Sequence, residues 1–402
     1  MNSTAVLSAK PIKEHHQGIA TILAFALLPL SGFATDIYIP SLPSMAGQLQ
    51  VSNIQVQMTL TLFLISYGVT QLFIGSLLDS FGRYHIALWS LILFAAASFV
   101  IALTHNIWVI YLMRIVHGIT VGGVIVAKRA YFIDLFSGEK LKGYLSMFSI
   151  IWSTGPIVAP FIGGYLETAF GWKSNFYFLG GFAAVLALLD YVYSGETLQN
   201  ISAFKLKSIA KTYATMFSTV SFTIGLIMIG LAYSMVMIYN MTGPFIIEHK
   251  FHQSPVVAGY SSLILGLAWM TGGIIGKATI NKPFMGRMAV NITIQVVLSI
   301  LMLITIRYVS GIAVMILFAF LIHVAAGFTF NNFFTYCLSL FPKNGGVASG
   351  LSGGVNYVIV SVMSYSIVAA LPAKDATNLG WSYLLLIIAS VLAMFVLKLK
   401  KA

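Results

Sequence analysis

The chain has 402 residues, of which 59% are hydrophobic and only 8% charged, with a mean hydropathy of +0.93. An average soluble domain carries roughly 25% charged residues, so these values exclude a soluble globular fold and imply a polytopic membrane protein. The formal net charge of +12 does not point to nucleic acid, because the basic residues are scattered over short polar connections instead of gathered in one patch.

Apolar windows of about 20 residues, the length that crosses a bilayer, predict an all-α polytopic membrane protein of twelve transmembrane helices in two six-helix halves. They fall near residues 19–39, 54–78, 84–103, 107–133, 143–165, 174–194, 213–241, 255–276, 288–307, 311–336, 346–370 and 380–398. The expected organisation is an N-terminal tail over 1–18, a first half over 19–194, a linker over 195–212, a second half over 213–398 and a short tail over 399–402. The segment before Ile19 is polar, and the run that follows is too long for a signal-peptide core and lacks a cleavage site, so it is expected to be retained. The pair His15 and His16 on this tail is expected to be incidental. No metal and no other cofactor is expected.

Asp36 stands near the end of the first apolar run and is the carboxylate set well inside a span of the first half. An ionised carboxylate in hydrocarbon is so costly that it persists only when it faces a polar path, a counter-charge or an exchangeable proton. Between the second and third runs lies Gly75-x3-Asp79-x2-Gly82-Arg83. The fourth run carries Arg114 and, one turn later, His117. If the first helix continues past Pro40, Asp36 and Arg114 fall at similar depth at about 1.5 Å per residue, and a shared polar pocket is the economical arrangement. His117 either tunes that site or is hydrogen-bonded within the bundle.

The fifth run contains Gly155-Pro156, Pro160 and Gly163-Gly164, which by physics alone form a close-packing, bendable face. The connection from Ser194 to Thr212 includes Ile201, Phe204 and Ile209 among lysines, a pattern suited to a short helix in the membrane interface. Polar residues inside apolar helices tend to face a central cavity. Tyr38 and Tyr67 in the first half, and Asn240, His323, Asn331 and Asn356 in the second, are accordingly substrate-cavity candidates. The single cysteine, Cys337, permits no intramolecular disulfide and no cysteine metal cluster. No HExxH and no phosphate-binding loop with lysine is present, so an enzyme is not expected.

With the N-terminus inside, seventeen of the 22 lysines and arginines fall on inner segments, among them Lys10, Arg83, Lys205, Arg287 and Lys343. Both termini are therefore expected in the cytoplasm, with the basic excess facing anionic inner-leaflet lipids.

The loop Gly75 to Arg83 resembles the cytoplasmic signature of the major facilitator superfamily. Asp36-Ile-Tyr-Ile-Pro40-Ser-Leu-Pro43, Arg114-Ile-Val-His117-Gly118 and Gly155-Pro156-x3-Pro160-x2-Gly163-Gly164 resemble twelve-span drug:proton antiporters, most closely the bicyclomycin-resistance type. The likeness covers the first half closely and the second mainly by span count. Tyr84-His85 and Lys128-Arg129-Ala130 before Asp134 depart from the pattern. So does the repeat from Lys277 to Arg287, which keeps Gly286-Arg287 without the aspartate.

This resemblance implies an inner-membrane exporter of small amphipathic compounds that exchanges them for protons by alternating access, acting as a monomer. Asp36, Arg114 and His117 would couple protons. Gly75, Asp79, Gly82, Arg83 and Asp134 would form a gate in which Arg83 meets Asp134 and Asp79 meets the start of span eleven near Gly345-Gly346. A proton-coupled importer, or an exporter of one endogenous product such as a siderophore, are the alternatives.

Overall fold

A computed structural model describes residues 12–198, 206–342 and 345–401. Lys10, Ile201, Phe204, Lys205 and Lys343 lie outside the described residues. The described chain contains twelve helices long and apolar enough to cross a membrane. The first six are Glu14–Leu49, Asn53–Phe81, Arg83–Leu103, Ile107–Leu135, Gly138–Phe170 and Lys173–Tyr193. Spans seven to twelve are Val220–Lys250, Pro255–Ala278, Phe284–Tyr308, Ile312–Leu340, Gly345–Ala370 and Ala376–Leu399. Twelve crossings place both chain ends on one side, called here the terminal face; the opposite side is the far face.

Most spans run a few residues past the apolar windows, because their polar ends still satisfy backbone hydrogen bonds within the helix. Span seven differs more. A separate helix, Leu206–Ser218, precedes it and ends before Thr219, so the window from 213 had merged the linker helix with the span. Span one is broken into Gln17–Ala26, Leu30–Asp36, a 3-10 turn at Ile39–Ser41 and Leu42–Leu49. Pro29, Pro40 and Pro43 explain the breaks, since proline cannot donate the i→i−4 bond and crowds the preceding turn.

The two halves touch mainly toward the far face. Gln57 Nε2 of span two donates to the Met241 carbonyl of span seven at 2.6 Å. The hydroxyls of Tyr165 and Tyr260 meet at 3.0 Å, and a Cβ on Gly164 would lie 2.7 Å from the Pro255 carbonyl oxygen. Midway through the bundle, Gly68 abuts Gly354 and the rings of Tyr67 and Tyr357 lie 4.7 Å apart. Toward the terminal face the halves part. Gly345, Gly346 and Gly350 have open space beside them, Asp79 is 47% exposed at its side chain, and among the described residues spans four and ten share no packing seam. The cleft is therefore shut at the far face and open at the terminal face.

Candidate functional site

Arg114 is fully buried. Its Nη1 donates to the Ala34 carbonyl at 2.8 Å and to His117 Nδ1 at 3.3 Å, and its Nε donates to the Thr59 carbonyl at 3.3 Å. The guanidinium carbon sits 4.7 Å from the ring centre of Tyr38 and 4.4 Å from that of Phe63, where each ring face attracts the cation.

A guanidinium only donates, so His117 Nδ1 must accept, which leaves a neutral imidazole with its hydrogen on Nε2. That N–H donates to Ser98 Oγ at 3.0 Å, whose hydroxyl donates onward to the Phe94 carbonyl at 2.9 Å. His117 thus orients Arg114. Tyr38 belongs to the same cage: its hydroxyl donates to Thr59 Oγ1 at 2.9 Å, because the single hydroxyl hydrogen of Thr59 goes to the Val56 carbonyl. Tyr38 therefore closes the Arg114 pocket and does not line a cavity.

Asp36 is 1% exposed and lies at the depth of Arg114, as the Arg114 bond to Ala34 shows. The two nevertheless form no ion pair. The ion pairs among the described residues are Arg83 with Asp79 and with Asp134, Lys128 with Asp190, and Lys142 with Glu139. The reason is angular: Ala34 and Tyr38 share one helix face, while Asp36, two residues on, points roughly 200° away at 3.6 residues per turn. Its Oδ1 accepts from Asn240 Nδ2 of span seven at 3.1 Å, and its Oδ2 is buried without a hydrogen-bond partner. Asn240, a substrate-cavity candidate by sequence, is thereby committed to the carboxylate.

At the terminal face, Gly82 has φ +91° and turns the chain from span two into span three, a backbone region that favours glycine. Arg83 bonds Asp134, as the motif led one to expect, and reaches Asp79 at 3.0 Å. Asp79 does not meet the start of span eleven, because the halves have parted there. Gly75 faces open space. Two residues absent from the sequence-based set complete the cluster. Glu196 accepts from the backbone N–H groups of Arg83 and Tyr84, both at 3.1 Å, and Thr197 donates to Asp134 at 2.7 Å. The carboxylate thus caps the orphan donors that open span three.

The span-five motif forms two seams. Gly155 abuts Pro29 and Gly32 of span one, Pro156 fills the hollow at Gly32, and Gly163 lies against the Ile37 carbonyl. Pro160 and Gly164 instead face span eight, at Gly259 and Pro255. The motif therefore packs span five both within its own half and across the far-face interface.

Of the remaining cavity candidates, Tyr67 and Asn356 are buried near the middle of the interface, with Asn356 Oδ1 unpartnered. Asn331 is exposed beside Gly273 and donates to the Gly327 carbonyl at 2.9 Å. His323 does not face the cleft. It donates from Nδ1 to the Ala319 carbonyl at 2.7 Å and sits between Tyr239 and Tyr383, inside the second half. An aromatic cluster of that half is formed by Tyr233, Trp269, Phe330 and Tyr357, with neighbouring ring centres 5.1 Å to 6.1 Å apart, such as Trp269 to Phe330 at 5.1 Å and Tyr233 to Tyr357 at 6.0 Å.

Asp36 is also not the only buried carboxylate of the first half. Asp190 of span six is fully buried, with Lys128 at 2.6 Å and Ser194 at 2.7 Å. The rule of matched depth that links Asp36 with Arg114 would have found this pair, since both residues lie near the terminal-face ends of their spans.

Twelve spans, two halves meeting at one face, and the Gly82–Arg83 turn clamped to Asp134 set the frame for comparison with known proteins. The sequence profile of the Major Facilitator Superfamily matches residues 24–365. The chain belongs to that superfamily. It is 26% identical over 382 residues to multidrug resistance protein D of Escherichia coli, covering 91% of this chain and 93% of that protein. It is 33% identical over 197 residues to the bicyclomycin resistance protein homolog of Haemophilus influenzae, covering 48% and 49%. The structure of a D-xylose-proton symporter superposes with a TM-score of 0.69 at 17% identity, covering 93% of this chain and 96% of that one. This superfamily member is a multi-pass membrane transporter and not an enzyme.

Proposed function

We propose that the protein is a proton-coupled antiporter that exports small amphipathic compounds, with Asp36 as the proton-exchanging group. The observation that carries this reading is the carboxylate itself. Asp36 is buried at the interface of the halves, with Arg114 held at its depth but not paired to it, and with one oxygen unpartnered. A carboxylate that must take up and release a proton needs desolvation to favour its neutral form and a nearby cation to favour its charged form; both are present. The similarity to multidrug and bicyclomycin resistance proteins supports export.

The excess of lysine and arginine at the terminal face supports an inner-membrane protein with both termini in the cytoplasm. The open cleft is then the one that loads substrate from the cytoplasm, lined by Tyr67, Asn356 and the aromatic cluster.

The test uses purified protein in oriented liposomes under an imposed pH gradient, with cationic, neutral and zwitterionic compounds. Flux should run against the proton gradient and reverse sign when the gradient is reversed. Uphill movement in the same direction as protons would establish an importer instead. Absence of gradient-dependent flux for every compound would count against transport driven by protons.

A further inference from the structure

Asp36 and Asn240 occupy corresponding places in the two halves. They are 204 positions apart, as are Pro40 and Pro244, and as are the pairs Gly82-Arg83 and Gly286-Arg287. The halves of this superfamily are related by a pseudo-two-fold axis along the membrane normal. Two residues related by such an axis can touch only on the axis itself. The 3.1 Å bond from Asn240 Nδ2 to Asp36 Oδ1 therefore marks where the axis passes through the bundle.

The backbone repeats the same device on both sides. A proline four residues on cannot donate to the carbonyl of Asp36 or to that of Asn240. At each proline the helix changes form, into a 3-10 turn at Ile39–Ser41 that contains Pro40 in span one and into a π-helical segment at Ile246–Lys250 just after Pro244 in span seven. Each partner of the bond thus stands at a point where its own helix can bend. One residue further along, Met241 accepts from Gln57, so the contact belongs to the shut far face.

We propose that Asn240 is a positioning residue that reads the ionisation state of Asp36, so that their bond on the axis is a proton-dependent latch of the far face. This rests on the assignment of Asp36 as the proton site. When Asp36 is ionised, the amide donates to a charged acceptor and the far face is held shut. When Asp36 is protonated, the same contact joins two neutral groups and is weaker. A charge-assisted hydrogen bond is roughly twice as strong as a neutral one, which changes the ratio of shut to open far face by about five- to tenfold.

The other ionisable groups facing Asp36 are Arg114 of span four, Tyr38 of its own span, Tyr233 of span seven and Tyr357 of span eleven. None of these four donates to Asp36 across the axis. Asn240 is the second-half residue that bonds the carboxylate directly.

The test places spin labels at Leu103→Cys and Tyr308→Cys, exposed far-face positions in different halves, in a Cys337→Ala background of the full chain in liposomes. Distances across the far mouth are recorded at about pH 5 and about pH 8. The unmodified latch should be shut more often at the higher pH, by about five- to tenfold. Asn240→Ala should reduce this step to less than about twofold.

Asn240→Asp should reverse its sign, because two ionised carboxylates on the axis repel while a singly protonated pair shares the proton. This variant is nearly isosteric and decides the matter even if Asn240→Ala does not fold. Retention of the unmodified step in Asn240→Asp, or absence of any step in the unmodified protein, overturns the latch. Asp36→Asn separates the two ideas. If it abolishes the step while the Asn240 variants keep it, the proton site stands and the latch falls; if it leaves the step intact, the proton site itself is misplaced and the latch falls with it.

Discussion

The side chains of Asp36, Arg114 and Lys128 illustrate three ways of keeping a charge inside a bundle. Arg114 is satisfied by carbonyls and ring faces, and Lys128 by a buried partner. Asp36 has one amide bond and an unpartnered oxygen. It is the one of the three with a buried oxygen left unbonded, as the proposed proton-exchanging role requires. Asp36→Asn should abolish flux driven by a pH gradient while leaving the protein monodisperse and able to bind substrate; flux still following the gradient would refute its role.

The Lys128–Asp190 pair predicts something different. Removing one member of a buried pair strands the other, at a cost of about 3 to 5 kcal/mol, whereas replacing both with apolar residues is often nearly neutral. Lys128→Met should therefore lower thermal stability in detergent sharply, and Lys128→Met with Asp190→Leu should recover most of the loss. The presence of both charges was legible in the sequence. Their similar depth was legible too, but that they bond each other is settled only by which helix faces meet, as the unpaired Asp36 and Arg114 at matched depth show.

At the scale of single helices, the breaks in spans one and seven and the glycines of span five decide how closely backbones approach. Gly163 lies against the Ile37 carbonyl with no room for a side chain, so Gly163→Leu should push spans one and five apart. The expected loss is about 1 to 3 kcal/mol from overpacking, read as a lower melting temperature, whereas Gly181→Ala, with open space beside it, should leave melting unchanged. Most span positions could be read from hydropathy because a bilayer demands a fixed apolar length. The start of span seven could not, since the amphipathic linker helix supplies apolar residues at the same density as the span's edge.

On the scale of the whole molecule, transport requires the far face to open and the terminal face to shut. Ile157 Cβ lies 3.4 Å from where a Cβ on Gly266 would fall, close to the separation a disulfide needs. Ile157→Cys with Gly266→Cys, in a Cys337→Ala background, should oxidise to a cross-link that stops exchange, with activity returning on reduction. Undiminished exchange in the cross-linked protein would mean that this face need not part. Asp79 is 47% exposed at its side chain beside Arg83, and the gate proposed from the family resemblance has it meet the start of span eleven when the terminal face shuts, where a helix N-terminus attracts a carboxylate. Losing roughly 1 to 3 kcal/mol from one state changes the conformational ratio by about 5- to 150-fold. Asp79→Ala should accordingly enrich the terminal-open state in distance measurements across that mouth and slow turnover more than it weakens substrate binding.

The sequence by itself determined the membrane class, the twelve spans and the matched depth of Asp36 and Arg114, because each follows from hydropathy, spacing or rise along one helix, while the Arg83–Asp134 contact was expected from the family resemblance of the Gly75 to Arg83 loop. Only the tertiary structure decided that Arg114 turns into its own half while Asp36 reaches Asn240, that His323 is buried away from the cleft, and that Glu196 and Thr197 join the Arg83 cluster. Depth is a property of one chain segment, whereas the direction in which a side chain points, and what it meets there, is set by the packing of several helices at once.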